Sequence, residues 1–132
     1  MNTSRVSTPT NQRLERDDPQ GPSRNELVPN LYAALAAALQ TMERAMVERN
    51  ATDKANALVA ANAVVFELIA SIDFERGGEL APRLTALYSY FSSELLHIGR
   101  TGDRQPIGAL MDMIGLLTER WEDSATPGGS TA

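Results

Sequence analysis

Large apolar residues recur every three or four positions in four stretches of this chain, and nowhere do they alternate over the length of a strand. A helix turns about 100° per residue, so that recurrence gathers them on one face. A chain of four such stretches, with no strand among them, has to bury its apolar faces helix against helix. The spacing predicts helices over 27–49, 53–72, 79–98 and 106–123.

The first stretch carries Leu27, Leu31, Leu35, Leu39, Met42 and Met46, and Ala33 to Ala38 hold five alanines. Alanine favours helix and, having no side chain beyond Cβ, lets a neighbour come close. Ser23 and Glu26 have the spacing of a capping box. Pro29 either marks the start of regular helix or strains it. In the second stretch Leu58, Val65, Ile69 and Ile72 form a stripe interrupted by Asn62, flanked by Val59 and Phe66 on one side and Val64 and Leu68 on the other. Its apolar arc covers about 220°, wider than one core-facing stripe requires. Such a helix is central in the bundle or lies partly in an exposed groove. Gly77-Gly78 punctuates the chain before the third stretch, whose stripe is Leu80, Leu84, Leu87, Phe91, Leu95 and Ile98. Pro82 falls in its first turn, where proline is tolerated. After the breaker 99–105, the fourth stretch places Ile107, Leu110, Ile114, Leu117 and Trp121 at a/d spacing. Short connections make successive helices antiparallel neighbours. The expected fold is an all-α antiparallel four-helix bundle over residues 23–124. Residues 1–22 and 125–132 are polar and rich in proline or glycine, and are expected to be disordered.

The chain has no cysteine, which removes disulfides and thiolate metal sites. A net charge of −5 with no basic stripe argues against a nucleic-acid partner. No apolar run is long enough for membrane insertion, and the first twenty residues lack a signal-peptide core. These features suit a cytosolic protein. Glu94 and His97 have the Glu-x-x-His spacing of di-iron bundles, but such a site takes two motifs and the chain has one histidine. Only a symmetric dimer would supply the second, so His97 reads as an ordinary residue near a helix end. No hydrolase elbow, P-loop or dinucleotide fingerprint is present. No catalytic residue, metal or cofactor is expected. Asn62 either bonds nearby backbone or water, or faces a partner. Tyr88 reads as core, and Tyr90, offset from the stripe, as an interface residue.

From the second helix onward the residues resemble the FliS family of flagellar export chaperones. The densest match is SIDFERGGELAPRLTALYSY, Ser71 to Tyr90, with Ile72, Asp73, Phe74, Gly77, Gly78, Glu79, Leu84, Leu87, Tyr88 and Tyr90 in the family's pattern. IGLLTERWED resembles the family's closing helix through Leu116, Leu117 and Trp121, and ELVPNLY its first-helix motif through Glu26, Leu27, Leu31 and Tyr32. Ala33 and Ala34 stand where the family continues with Asp-Gly, and the N-terminal segment lacks the family's tyrosine.

The resemblance implies a bundle in the bacterial cytosol that binds the disordered C-terminal segment of flagellin, prevents premature polymerisation and delivers the subunit to the flagellar export gate. Expected partner-binding residues are Leu31, Tyr32, Val65, Leu68, Ile72, Leu84, Leu87, Tyr88 and Tyr90. The alternative is a divergent adaptor that binds another flagellar or type III secretion component. An enzyme with a metal site shared across a dimer is the third class, and it would carry bound metal.

Overall fold

A computed structural model describes residues 24–125 as four helices: α1 (Arg24–Val47), α2 (Ala51–Ala70), α3 (Leu80–Thr101) and α4 (Gln105–Ala125). The all-α bundle expected from the apolar spacing is the fold. The terminal segments 1–22 and 126–132, and the Ser23 cap, lie outside the described residues.

Each helix boundary has a local cause. Pro29 is inside α1, which begins a turn and a half before it. It forgoes one amide bond near the helix start, where a missing bond costs least. α1 ends as Arg49 turns to φ +59, letting the Asn50 amide donate back to the Ala45 carbonyl at 2.8 Å. That is the left-handed stop usually given to glycine. Asn50 then caps α2: its Oδ1 accepts from the Asp53 amide at 3.0 Å, and its Nδ2 donates to Asp53 Oδ2 at 2.8 Å. This reciprocal cap starts the helix at residue 51, ahead of the first large apolar residue. Asn62 takes the local reading, donating to the Leu58 carbonyl at 3.1 Å.

The connection from α2 to α3 is a built turn. Asp73 Oδ1 accepts from the Glu75 and Arg76 amides, both at 3.1 Å, and the Gly77 amide donates to the Asp73 carbonyl at 2.8 Å. A Cβ on residue 77 would lie 2.5 Å from that carbonyl oxygen, so the backbone passes where only glycine fits. α3 stops at Gly102, φ +75, and Asp103 Oδ1 accepts from the Gln105 amide to open α4.

In cross-section α1 lies between α2 and α4, and α3 lies opposite α1. α1 and α2 approach most closely, along a crevice lined by Ala34, Ala37, Ala38, Ala57 and Ala60. α3 and α4 approach least. The core runs through Leu35, Leu39 and Met42 of α1, Ala61, Val65 and Leu68 of α2, Phe91, Leu95 and Ile98 of α3, and Ile107, Leu110 and Ile114 of α4. No helix among the described residues is long and apolar enough to cross a membrane.

Two glycines test these assignments. Gly77→Ala forces its methyl against the Asp73 carbonyl and should destabilise the chain by about 1–3 kcal/mol. Gly108, inside α4 with nothing within 4 Å of an added Cβ, should respond the other way. Gly108→Ala is expected to stabilise by about 0.5–1 kcal/mol in urea denaturation.

Candidate partner-binding groove

The stripes of α3 and α4 leave the core at the same end of the molecule. Along α3 the stripe is buried at Phe91, Leu95 and Ile98, but Leu84 and Leu87 are half-buried and Leu80 is 57% exposed. Along α4 it is buried at Ile107, Leu110 and Ile114, whereas Leu117 and Trp121 are half-buried. The helices run antiparallel, so the start of α3 faces the end of α4. Among the described residues, no third helix closes over the apolar side chains between them.

The result is a groove of about 490 Å³ lined by Leu80, Leu84 and Leu87 of α3, Met113, Leu116, Leu117, Arg120 and Trp121 of α4, and Tyr32 of α1. Arg120 is its single charged lining residue among those described. A second groove of about 330 Å³ shares Leu80, Leu84 and Trp121 with the first. It continues along Val28, Ala81 and Tyr88 to the Ile72–Gly77 turn, with Asp73 and Arg76 at its edge. The turn of the densest sequence block therefore forms one wall of the site, and its Asp73 and Gly77 geometry sets where α3 begins.

Tyr32 and Tyr88 join beneath these grooves. Their hydroxyls are 2.8 Å apart, bridging the diagonal between α1 and α3. Burial is the main cause that pushes both phenols above the ordinary tyrosine value, so both remain protonated.

The expected site residues fall into three groups. Tyr32, Leu84 and Leu87 line the first groove, and Ile72, Leu84 and Tyr88 the second. Tyr90 is 42% exposed on the outer side of α3, with its ring against Phe91 at 6.5 Å between centroids. Leu31, Val65 and Leu68 line neither groove. Val65 and Leu68 fall on the side of α2 that faces the bundle centre and are wholly buried, and Leu31 is half-buried against the core. Leu80, Met113, Leu116 and Arg120 line the groove without having been singled out as binding residues. For Leu80 the signal was the continuation of its stripe to the start of α3; Met113, Leu116 and Arg120 lie beside the α4 stripe, where apolar spacing gave no signal. Other apolar residues lie open on the wide arc of α2, where Phe66 is 67% exposed with Val59 two turns before it.

Glu94 and His97 sit on the outer side of α3 and do not face the core. His97 Nε2 meets Asp103 Oδ2 at 3.3 Å, with both side chains about two-fifths exposed. Among the described residues no three acidic or histidine side chains gather as a metal site would need.

Two comparisons bear on this geometry. The sequence model of the family described as flagellar protein FliS matches residues 8–127. The flagellar secretion chaperone FliS of Salmonella typhimurium (strain LT2) is 29% identical over 101 residues, covering 76% of this chain and 75% of that protein.

The buried phenol pair predicts a pH dependence. Both pKa values in the fold lie above the unfolded value of 10.0. Their contribution to stability is therefore complete below pH 10 and is lost as the pH rises beyond it. Urea midpoints measured from about pH 8 to about pH 11 should fall more steeply for the wild type than for Tyr32→Phe/Tyr88→Phe.

Proposed function

The chain belongs to the FliS family, and from that premise we propose that it is a flagellin chaperone that takes its client's C-terminal segment in the α3–α4 groove. The observation that carries this reading is the shared departure of two apolar stripes from the core at one end of the bundle, where Leu80 of one stripe and Leu116 beside the other are each 57% exposed over a concave floor. A monomer rarely leaves such a surface open without a use for it.

The chemistry suits a disordered client. An unfolded segment has scattered apolar anchors, and laying them into a preformed groove offsets the entropy of ordering it. A helix presenting residues at i, i+3, i+4 and i+7 matches a trough whose walls are themselves helices. Leu80, Leu84, Leu87 and Tyr32 offer one side and the floor, and Met113, Leu116, Leu117 and Trp121 the other. Tyr88 and Ile72 extend the surface towards the turn, and Tyr90 flanks it along α3. Val65 and Leu68 support the groove from within the core, and Leu31 packs against that core from outside. Val59 and Phe66 give a longer client further anchors on α2. The protein acts by occupancy, with no chemical turnover. It holds the subunit unpolymerised in the bacterial cytosol until the export gate receives it.

Calorimetric titration with the flagellin C-terminal segment of the same organism tests the reading. The account expects one-to-one binding with a negative heat-capacity change. Leu80→Ala and Leu116→Ala should each weaken binding about fivefold or more, with the melting temperature nearly unchanged because both residues are exposed. Tyr90→Ala should cost less, and Val47→Ala, exposed at the far end of α1, nothing. Absence of binding by the wild type removes flagellin as the client and leaves the adaptor reading.

A further inference from the structure

The second helix carries two apolar faces, and the bundle covers one of them. Ala57, Ala61, Val65 and Leu68 form the buried face. Ala55, Val59, Asn62, Phe66 and Ala70 recur at steps of three and four along another side, with Val59 70% exposed and Phe66 67%. No charged residue occurs from Ala55 to Phe66. α3 widens this face. Gly99 lies so near Leu58 that an added Cβ would stand 3.3 Å from Leu58 Cδ1. Leu96, one turn before Gly99 on the same flank of α3 and 60% exposed, is thereby set within a turn of Val59 and Asn62. α3 packs against α2 on one flank and α4 on the other, so this face is separate from the α3–α4 groove.

We infer that this face docks a second copy of the chain, α2 against antiparallel α2, in a weak two-fold dimer. The inference does not depend on what fills the groove. Where a long client reaches Val59 and Phe66, it and the second copy exclude each other.

Three observations select a copy of the chain as the occupant. The first is charge. Each chain carries a net charge of −5, so two copies meet at least cost where neither presents a charge. The second is the amide of Asn62. One of its protons goes to the Leu58 carbonyl, and among the described residues it makes no other hydrogen bond. A donor and the acceptor Oδ1 remain on a half-buried side chain in an apolar stripe. An amide carries both halves of a hydrogen bond, so two Asn62 side chains meeting across a symmetry axis satisfy each other.

The third is register. A two-fold axis crossing α2 between Asn62 and Ala63 brings each Val59 beside the other copy's Phe66 and each Ala55 beside the other's Ala70. The small Ala63 at the crossing lets the two backbones approach. The antiparallel sense also sets opposite helix ends together, whereas a parallel pair would put Asp53, Lys54 and Glu67 each level with its own copy. The area sets the strength. A strip about 24 Å long and about 10 Å wide, with Leu96 beside it, covers roughly 300–400 Å² per copy, about half of what a stable interface buries. The dimer is therefore reversible, half dissociated at roughly 0.1 mM.

Sedimentation equilibrium of the full chain from about 10 µM to about 1 mM tests this. The average mass should rise from 14.3 kDa towards twice that value as concentration increases. Val59→Lys alone and Phe66→Glu alone should each stay monomeric with helical circular dichroism unchanged, because both side chains are exposed. Mixed in equal amounts, the two variants should associate again. The antiparallel register then sets Lys against Glu on one side of the axis and the native Val59–Phe66 contact on the other. If a charged variant loses its helical signal, Val59→Ala/Phe66→Ala takes its place and should associate at least tenfold more weakly than the wild type. A wild type that stays monomeric up to about 1 mM overturns the inference. So does a dimer that these substitutions leave intact, and a mixture that fails to associate overturns the antiparallel pairing.

Discussion

Alanine sets the geometry of this bundle. Ala34, Ala37 and Ala38 on α1 face Ala57 and Ala60 on α2, and with so little side chain between them these two helices form the closest pair in the molecule. The bulky residues of the core lie away from that seam, towards α3 and α4. There Tyr32, Tyr88, Phe91 and the leucines occupy the volume, and α3 and α4 approach each other least. Close contact on one side and separation on the other come from one distribution of side-chain sizes. A bundle with alanine at every seam would lack a core to fold around.

The separation is held in place by two devices. The Tyr32–Tyr88 bridge ties α1 to α3 across the diagonal, so α3 is fixed to the core even where α4 stands away from it. The Asp73–Gly78 turn fixes where α3 begins, because the carbonyl of Asp73 occupies the space a side chain at residue 77 would need. Leu80 is thereby delivered to the groove rim directly after the turn. Under the function proposed above, a tied floor with an apolar top that is open among the described residues suits a client that brings no structure of its own. Less of the binding energy is then spent on ordering the chaperone.

Much of this was legible in the amino-acid sequence. Apolar spacing marked all four helices, and the short connections between them gave their antiparallel order. The Ile72–Glu79 block pointed to the turn and to the family. The cap at Asn50 was passed over because the helix was read from its apolar stripe, whereas Asn50 and Asp53 start it earlier through polar side chains. The α3–α4 groove was legible only in part. Val65 and Leu68 on α2 and Leu84 and Leu87 on α3 are the same kinds of residue at the same spacing. Periodicity shows which face is apolar, but whether a neighbour covers that face depends on how close the next helix comes. Leu80 and Leu116 belong to the groove for that tertiary reason. The phenol bridge joins residues 56 positions apart and leaves no mark on local spacing.

Methyl chemical-shift mapping of the full chain, titrated with the C-terminal segment of its flagellin, tests the central claim most directly. The account predicts that the largest perturbations fall on Leu80, Leu84, Leu87, Met113, Leu116 and Leu117. The methyls of Ala34, Ala37 and Ala60 along the α1–α2 crevice should stay where they are. Perturbations concentrated on that crevice, with the α3–α4 groove silent, would contradict it.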